Sequence, residues 1–311
     1  MSDISGEGAT RIFVDHRELL FSIVYTMLGS VADTEDVLQE TWLAWTPRAR
    51  SGERIDNPRA YLVRVAVNRA LARQAGISRR KEEYVGPWLP EPLLTPPGGE
   101  PVAGDAGDAV VRAESVSMAL LVVLETLTPL ERAVFVLHEV FGYALSEIAG
   151  ILERSPAAVR QVAHRAREHV QARRPRYQAD PRLKREATER FLAAVVGGDI
   201  NALMEILAPD VTMWADGGGK APAAGLWPVH GSDKVARLII GNVSRRPIPD
   251  LGIRIRQVNG DPSALLLSGD TPYAVIVLDL TADGGRVSGI YAVTNPDKLT
   301  RIGRGSGAPE G

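Results

Sequence analysis

The stretch LTPLERAVFVLHEVFGYALSEIAGILERSPAAVRQVAHRAREHV, residues 127–170, decides the fold of the central part of this chain. Thr128 and Glu131 stand at capping-box spacing with proline between them, so they predict a helix start. A second short helix from Leu145 ends at a break over 150–154, and Ser155 with the following proline starts a third. Two short helices joined by a tight break are typical of a helix-turn-helix.

The helix that starts at Ser155 concentrates positive charge. Between Arg154 and Arg176 there are seven arginines and one glutamate, while Val159, Val162 and Ala163 are spaced to face inward. A recognition helix needs an apolar face against its partner helix and polar side chains that reach base edges. We therefore expect this helix to contact DNA, with an ordinary solvated basic helix as the alternative. The arginines in question are Arg154, Arg160, Arg165, Arg167, Arg173, Arg174 and Arg176.

The apolar periodicity of residues 11–80 predicts three further helices, with breaks at Gly29 and Asn57. The second carries DTEDVLQETWLAW (33–45), which has four acids and no base between 33 and 42. Carboxylates near a helix N-terminus also suit a plain solvated face. The third, NPRAYLVRVAVNRAL (57–71), interleaves arginines with an aromatic and an amide. Such a surface suits splayed single-stranded bases, although core packing explains Tyr61 nearly as well.

A proline- and glycine-rich segment separates these helices from the central ones. Six of residues 86–109 are proline and five are glycine, which predicts an extended, partly stiff linker. Its first part, YVGPWLPEPL (84–93), places Trp88 and several aliphatic residues among the prolines. Exposed tryptophan is unusual in flexible linkers, so we expect this part to dock against a domain, with an exposed tether as the alternative.

The last third of the chain predicts an α+β domain. Asp180 and the proline after it start one or two helices, about 183–197 and 200–208, and a later helix follows over 232–243. Strand-like runs occupy 211–215, 253–258, 264–267, 273–280 and 287–293. Helices packed on one curved antiparallel sheet would satisfy this pattern. Residues after 301 are glycine-rich and predict a flexible tail.

Composition narrows the function classes. The chain has 311 residues, a net charge of −2 and no cysteine, which suits two or three domains in a reducing cytoplasm. Any nucleic-acid contact must therefore rest on a local concentration of charge. The absence of a long apolar run and the polar N-terminus argue against a membrane span and a secretory signal. Without cysteine, and with His164 and His169 spaced off one helical face, we expect no metal site.

Taken together and in this order, the three helical segments resemble a bacterial RNA polymerase sigma factor of the extracytoplasmic-function group (group IV). Residues 33–45 resemble the region-two helix that grips the polymerase clamp, 57–71 the region that melts and reads the minus-ten element, and 127–170 the region four that reads the minus-35 element. The resemblance implies a partnership with core RNA polymerase (clamp and flap) and with promoter DNA. It implies no cofactor and no catalytic residue.

The resemblance carries functional residues over position by position. The polymerase-binding set is Asp33, Glu35, Asp36, Gln39, Glu40 and Trp42. The minus-ten set is Asn57, Arg59, Tyr61, Arg64, Asn68 and Arg69. The minus-35 set is Arg154, Ser155, Arg160, Gln161, His164, Arg165 and Arg167.

The linker and the tail resemble a subgroup in which the sigma factor is fused to a SnoaL-like domain of NTF2 fold. The motifs are YVGPWLPEPL (84–93), DGGGK (216–220) and NPDKL (295–299). The resemblance implies that the tail domain tunes activity, with no separate anti-sigma factor required. The implied regulatory contacts are Trp88, Leu89, Pro90, Asp216, Gly217, Gly218, Gly219 and Lys220. The domains expected are 1–85, a linker over 86–111, 112–177, 180–300 and a tail over 301–311.

Three alternatives stay open at this point. Asp216 to Lys220 invites a phosphate-loop interpretation, but its spacing misses the motif and Ala221 stands where a hydroxyl is needed. The tail domain offers an enzyme or ligand-sensing pocket, for which the candidate lining is Trp214, Asp216, Trp227, His230 and Asp270. The main rival function is a standalone helix-turn-helix regulator with a ligand-binding or vestigial-enzyme tail, which would not need the segments 33–45 and 57–71.

Overall fold

The computed structural model describes residues 6–51, 55–95, 116–173, 180–221 and 224–302. These residues form two compact units. The first consists of the described residues of 6–80, 116 and 123–173, and the second of those of 81–95, 117–122 and 180–302. Arg174, Arg176, positions 96–111 of the expected linker and positions 303–311 of the expected tail lie outside the described residues.

The first unit is helical, and capping side chains mark where its helices begin. Ser30 accepts a hydrogen bond from the Asp33 amide, and Asn57 Oδ1 accepts one from the Ala60 amide at 2.9 Å. Its helices are α1 Gly6–Leu28, α2 Val31–Arg50, α3 Pro58–Glu82, α5 Pro129–Phe135, a π-helical turn Val136–Val140, α6 Leu145–Ile151 and α7 Pro156–Arg173. The helix α4, Met118–Leu124, begins in the second unit and ends in the first. No helix within the described ranges combines the length and apolar character that crossing a bilayer requires.

Helices α1 to α3 pack around a shared apolar core. Trp45 of α2 is fully buried, and its indole Nε1 donates to the Ala9 carbonyl of α1 at 2.9 Å. Leu62 and Val67 of α3 are also fully buried. A buried indole that finds a backbone acceptor contributes apolar area without leaving a polar group unsatisfied. This arrangement orients the outer faces of α2 and α3, which carry the polar residues singled out above.

A buried carboxylate ties α2 to α3. Asp33 is 4% exposed and accepts from Arg73 Nε at 3.0 Å and from Arg80 Nη2 at 2.7 Å. Burial alone would raise the pKa of Asp33, but the hydrogen bonds from the two guanidinium groups outweigh it and hold that pKa below its usual value. Asp33 is therefore a structural anchor between two helices.

Helices α5 to α7 form the helix-turn-helix. Thr128 and Glu131 make the capping box that the sequence predicts. Val159, Val162 and Ala166 of α7 are buried against the preceding helices. Glu153, in the turn between α6 and α7, has φ of 52°, a left-handed conformation that lets the chain reverse within a few residues.

The second unit is a six-stranded mixed sheet with helices. Its helices are α8 Pro181–Val196, α9 Ile200–Ile206, α10 Ser232–Arg245 and α11 Pro296–Leu299. Its strands are β1 Leu207–Asp216, β2 Val229–His230, β3 Leu251–Val258, β4 Asp261–Ser268, β5 Thr271–Leu280 and β6 Val287–Val293, in the spatial order β2-β1-β6-β5-β4-β3. The expected order of fold classes, helical domains followed by an α+β domain, is confirmed.

One expectation about the sheet is wrong. The pattern indicated an antiparallel sheet, but β1 and β6 pair in parallel, with Met213 beside Ile290. The meander from β3 to β6 brings its last strand back beside β1, after the chain has passed through the helix α10 between β2 and β3. Alternation of apolar residues reports which face a side chain occupies and carries no information on strand direction.

Different elements of the chain pack on the two faces of the sheet. Helices α8 to α10 cover one face, around Phe191, Leu203 and Val235. The other face packs Leu265, Val277 and Val293 against Leu89 of the linker, Met118 and Ala119 of α4, and Leu299 of α11. The 84–95 segment and the start of α4 thus belong to the core of the C-terminal sheet, unlike the division at residues 86 and 112 expected from sequence. Proline keeps the segment extended, so Leu89 reaches the sheet.

The Asp33 anchor gives a pH-dependent prediction. Asp33→Asn should destabilise the α1–α3 bundle at neutral pH by about 1–3 kcal/mol, since two guanidinium groups lose their charged acceptor. A carboxyl whose folded pKa is lowered contributes stability above its unfolded pKa, about 3.9, and loses it as pH falls further. The deficit of the variant should therefore shrink below about pH 4.

The measurement is hydrogen exchange of the full chain, with the free energy of opening taken from peptides of α2 and α3. Glu18→Gln, an exposed acid on α1, is the matched control and should leave this free energy within about 0.5 kcal/mol of wild type. Equal protection in Asp33→Asn and wild type at neutral pH would contradict the anchor.

Candidate functional site

The outer face of α7 presents a row of polar side chains to solvent. Arg154, Arg160, Gln161 and His164 are all exposed. Ser155 begins the helix by accepting from the Ala158 amide at 3.2 Å. This is the face that a recognition helix offers to the major groove, where an arginine can bind guanine through two hydrogen bonds.

Two of the expected minus-35 residues are instead engaged within the helix-turn-helix. Arg167 donates to Glu139 Oε1 at 2.6 Å, and Arg165 lies 3.5 Å from Glu131. Burial would raise the pKa of Glu131, but hydrogen bonds from Thr128 and the positive charges of His169 and Arg165 lower it overall. Glu131 therefore stays charged and links the start of α5 to α7. In this conformation Arg165 and Arg167 brace the recognition helix.

The first half of α3 places an aromatic ring between two cations. The guanidinium carbons of Arg48 and Arg64 lie 5.3 Å and 5.7 Å from the Tyr61 ring centroid. The Trp45 ring lies 5.9 Å from Tyr61 on the bundle side. Tyr61 is half-buried. Its ring packs beside Trp45 on the core, as the core-packing interpretation expects, and it also has two positive charges close by, as the base-stacking interpretation expects.

The same face of α3 abuts the helix-turn-helix. Asn68 Nδ2 donates to the Ile151 carbonyl at 3.0 Å, across the end of α6. Asn57 and Arg59 line a cleft of about 250 Å³ together with Tyr143 and Glu147. Burial raises the pKa of the Tyr143 phenol, and the Arg59 guanidinium opposes that rise. Expected minus-ten residues therefore face the helix-turn-helix in this structure.

A second tie joins the same two parts of the first unit. Arg132 of α5 is 6% exposed, and its Nη1 donates to the Met27 carbonyl at the end of α1 at 2.9 Å. The same Nη1 also donates to Glu125 Oε1 at 3.1 Å, and Nη2 donates to Glu125 Oε2 at 2.8 Å. A buried arginine that binds both a carboxylate and a helix-terminal carbonyl fixes two elements in one geometry.

The expected polymerase-binding acids are paired with arginines of this chain. Glu35 binds Arg17 at 2.7 Å, Asp36 binds Arg73, and Glu40 binds Arg69 at 2.7 Å and Arg73 at 3.2 Å. Gln39 is exposed, and Trp42 is half-buried with its ring 5.1 Å from Phe13. Of the two arginine partners on α3, Arg69 was expected to contact the minus-ten element, and Arg73 was not singled out from the sequence. The sequence did contain a signal for these ion pairs: Arg69 and Arg73 are four residues apart on α3, which follows the acidic helix α2.

The second unit holds a buried carboxylate at the end of β1. Asp216 has no exposed surface, and it accepts from the Leu89 amide at 2.8 Å, from Lys298 Nζ at 2.7 Å and from the Tyr84 hydroxyl. Burial and the neighbouring Asp216 carboxylate raise the pKa of Tyr84 well above its usual value, so the phenol remains a donor.

Lys298 completes this cluster, which we call the Asp216 clamp: Tyr84, Leu89, Asp216, Asn295 and Lys298. Lys298 Nζ donates to the Leu89 carbonyl at 2.5 Å, and Asn295 Nδ2 donates to the Tyr84 hydroxyl at 2.7 Å. Lys298 Nζ also lies 3.6 Å from the Trp88 ring centroid. Thus residues from the three motifs at 84–93, 216–220 and 295–299 meet in one place. Single residues of the last motif, Asn295 and Lys298, were not singled out from sequence.

The glycine loop after Asp216 comes close to the linker. Gly218 and Gly219 have φ of 57° and 71°. A Cβ on Gly218 would clash with Asn295 and lie 3.0 Å from the Tyr84 hydroxyl, and a Cβ on Gly219 would lie 3.2 Å from Val85 Cβ. Glycine is needed here both for the backbone conformation and for the close approach. Lys220 pairs with Asp297, so the loop, the linker and α11 are held together.

The residues considered for an enzyme pocket do not come together. Asp216 and the half-buried Trp214 lie on the linker side of the sheet, with Trp214 packed on that core. Trp227 is 80% exposed, and Asp270 is exposed in the turn between β4 and β5. His230 is exposed on β2 and hydrogen-bonded to the Thr212 hydroxyl at 3.0 Å. The proposed histidine–carboxylate pair is therefore not formed.

Comparison with known proteins agrees with the helical part of this geometry. The family models for sigma-70 region 2 and sigma-70 region 4 match residues 12–80 and 117–170. The ECF RNA polymerase sigma factor SigJ of Mycobacterium tuberculosis is 38% identical over 291 residues, covering 91% of each chain. The probable ECF RNA polymerase sigma factor SigI of the same species is 30% identical over 287 residues, covering 91% of this chain and 92% of the relative.

A solved structure extends the similarity to the C-terminal sheet. The crystal structure of M. tuberculosis SigJ matches with a TM-score of 0.70 and 34% identity, covering 94% of this chain and 98% of that one. The expectation of a sigma factor is thereby confirmed, in preference to a standalone helix-turn-helix regulator. This chain belongs to the extracytoplasmic-function family of RNA polymerase sigma factors.

Proposed function

We propose that this sigma factor reads minus-35 elements with the exposed face of α7 and minus-ten elements with the first half of α3. The observation that carries the proposal is the charged outer face of α7, where Arg160, Gln161 and His164 are exposed while Val159 and Val162 are buried. The acidic surface of α2 with Trp42 is our candidate for the contact with core polymerase. Because polymerase supplies the chemistry of transcription, we assign this chain no catalytic step. Because its proposed partner is RNA polymerase, we also propose that it acts in the cytoplasm.

Arg160 is the best single test of the minus-35 assignment. Arg160→Ala should lower run-off transcription by core polymerase roughly 5- to 150-fold on promoters selected from genomic DNA by pulldown, since one arginine–guanine pair is worth about 1–3 kcal/mol. The variant should also discriminate less between promoters with intact and altered minus-35 bases.

The matched control is Arg185→Ala, an exposed arginine on α8 that pairs with Glu189. It should transcribe like wild type. If Arg160→Ala keeps wild-type output and wild-type discrimination, the assignment of this face to the minus-35 element is wrong.

We also propose that the first unit is a closed form that must open on polymerase. The names of the two promoter elements place them about 25 base pairs apart, roughly 85 Å along B-DNA at 3.4 Å per base pair. Helix α7 has 18 residues and spans about 27 Å at 1.5 Å per residue. Because Asn68 is hydrogen-bonded to the Ile151 carbonyl, α3 and α7 are too close to read both elements at once.

Energy transfer between two dyes tests the opening. The chain has no cysteine, so Glu18→Cys with Gln171→Cys places labels on α1 and α7, at two exposed positions. Transfer should be high in the free protein and fall when core polymerase and promoter are added. A pair within the α1–α3 bundle, Glu18→Cys with Ser51→Cys, is the control and should not change. Unchanged transfer in the first pair would contradict a closed form.

We propose that the C-terminal domain tunes activity by holding residues 84–95 through the Asp216 clamp, without a separate anti-sigma factor. The segment joins the two DNA-reading parts along the chain, so restraining it limits the positions they can take. Support comes from the burial of Leu89 and from the three hydrogen bonds that Asp216 accepts from Tyr84, Leu89 and Lys298. Glycine at 218 and 219 permits this contact.

Asp216→Asn should loosen the segment. Replacing a buried carboxylate that pairs with a lysine leaves the Lys298 charge uncompensated, at a cost of about 3–5 kcal/mol. Hydrogen exchange at 84–95 in the free protein should then rise at least about tenfold, a factor that corresponds to about 1.4 kcal/mol. Promoter-dependent output in run-off transcription should differ from wild type.

Asp270→Asn, an exposed acid of the same domain, is the control and should change neither quantity. A truncation at 180 gives the sign of the domain's effect on transcription. If Asp216→Asn leaves both the exchange at 84–95 and the output at wild-type values, tuning through the clamp is excluded.

A further inference from the structure

A cavity of about 270 Å³ lies between the sheet and its helical cover in the second unit. Strand residues such as Met213, Ile276 and Ile290 form its floor, and Phe191, Val195 and Ile239 of α8 and α10 form its roof. It opens at a rim where Val196 and Val243 are 60% and 41% exposed. This is the helix-covered face of the sheet, opposite the Asp216 clamp.

The chemistry of the lining selects an apolar occupant. Among the described lining residues there is no histidine and no acid, and the polar ones are Asn242, Arg246, Tyr273 and Thr294. An apolar cavity of about 150 Å³ stays dry and accommodates benzene, so this larger cavity suits a hydrophobic molecule of roughly ten to fifteen non-hydrogen atoms. Ligand sites in proteins commonly combine such a lining with a few polar groups that orient the ligand.

One end of the cavity favours a hydrogen-bond acceptor. Asn242 and Arg246 lie one turn apart at the end of α10, and both line the cavity on the side of the exposed Val243. An amide and a guanidinium donate hydrogen bonds, and the guanidinium adds a positive charge. A carboxylate on the ligand would meet both at the rim while its apolar part fills the interior.

The cavity shares its floor with the clamp. Side chains alternate along β1, so Met213 and Ala215 line the cavity while Trp214 and Asp216 face the linker. Ala292 and Thr294 line the cavity next to Val293, which packs on the linker side. The Thr294 and Asn295 amides donate to the Asp216 carbonyl at 2.8 Å and 2.9 Å. The strand ends that hold Tyr84 and Leu89 are therefore also part of the cavity wall.

We propose that this cavity is an effector site for a small hydrophobic carboxylic acid, and that its occupancy changes the hold of the Asp216 clamp on residues 84–95. A ligand shifts such an equilibrium only by its difference in affinity for the two states. The regulatory half rests on the proposed tuning of activity by the C-terminal domain. The binding half does not, because it concerns the cavity alone.

The test uses the full chain, without polymerase, and decanoate as the probe. Isothermal titration calorimetry should show saturable binding of decanoate, weaker binding of decanol, and no comparable binding of hexadecanoate, which is too long. Val243→Trp at the rim and Ala274→Leu in the floor should each weaken decanoate binding at least about tenfold, which corresponds to about 1.4 kcal/mol. Trp227→Ala, at an exposed position outside the cavity lining, should bind like wild type.

Two readouts separate the halves of the proposal. Saturable binding that Val243→Trp or Ala274→Leu weakens, with circular dichroism unchanged, supports the site. Absent binding, or binding that both variants leave intact, overturns it. Hydrogen exchange at 84–95 should change on saturation with decanoate, and unchanged exchange in the saturated protein overturns the coupling to the clamp. Neither readout depends on transcription, so a failure of the proposed regulation in run-off assays remains distinguishable.

Discussion

The buried carboxylate of Asp216 is the constraint on which the C-terminal half of this sigma factor depends. A charged group without exposed surface is very costly unless it is paired and hydrogen-bonded, and Asp216 meets that need with donors from distant parts of the chain. One of them is a backbone amide of the linker, at Leu89. The linker is therefore a required partner of this carboxylate, and the domain cannot release it without leaving Asp216 short of a donor.

In the first unit, too, buried charged side chains join separate helices. Asp33 anchors α2 to α3, which keeps these two helices in one bundle. Arg132 and Asn68 instead bind carbonyls across to the other helical part. The Asn68 contact is a single neutral hydrogen bond, worth about 1 kcal/mol net, so only a small free energy opposes its loss. The Arg132 contact is buried and charge-assisted, so the two contacts between these helical parts differ in strength.

Local features of the sequence predicted local features of the structure. The capping box at Thr128, the inward face of Val159 and Val162, and the helix start at Asp180 depend on residues within one or two turns of each other. Pairings across the chain were beyond such reasoning. The spacing of residues does not show that Lys298 binds Asp216, or that Arg73 and Arg80 bind Asp33. It also does not show that β1 and β6 run parallel. Resemblance to a family indicated which motifs matter, and the structure identified the atoms that join them.

The most direct measurement is a double-mutant cycle between Tyr84 and Asp216. Tyr84→Phe, Asp216→Asn and the double variant would be compared with wild type through the free energy of opening at residues 84–95, obtained by hydrogen exchange. If the carboxylate holds the linker through this phenol, the two changes should couple by about 0.5–3 kcal/mol, as residues in one hydrogen-bond network do. Additive effects within about 0.3–0.5 kcal/mol would show that Asp216 and the linker act independently, and the account of the clamp would be wrong.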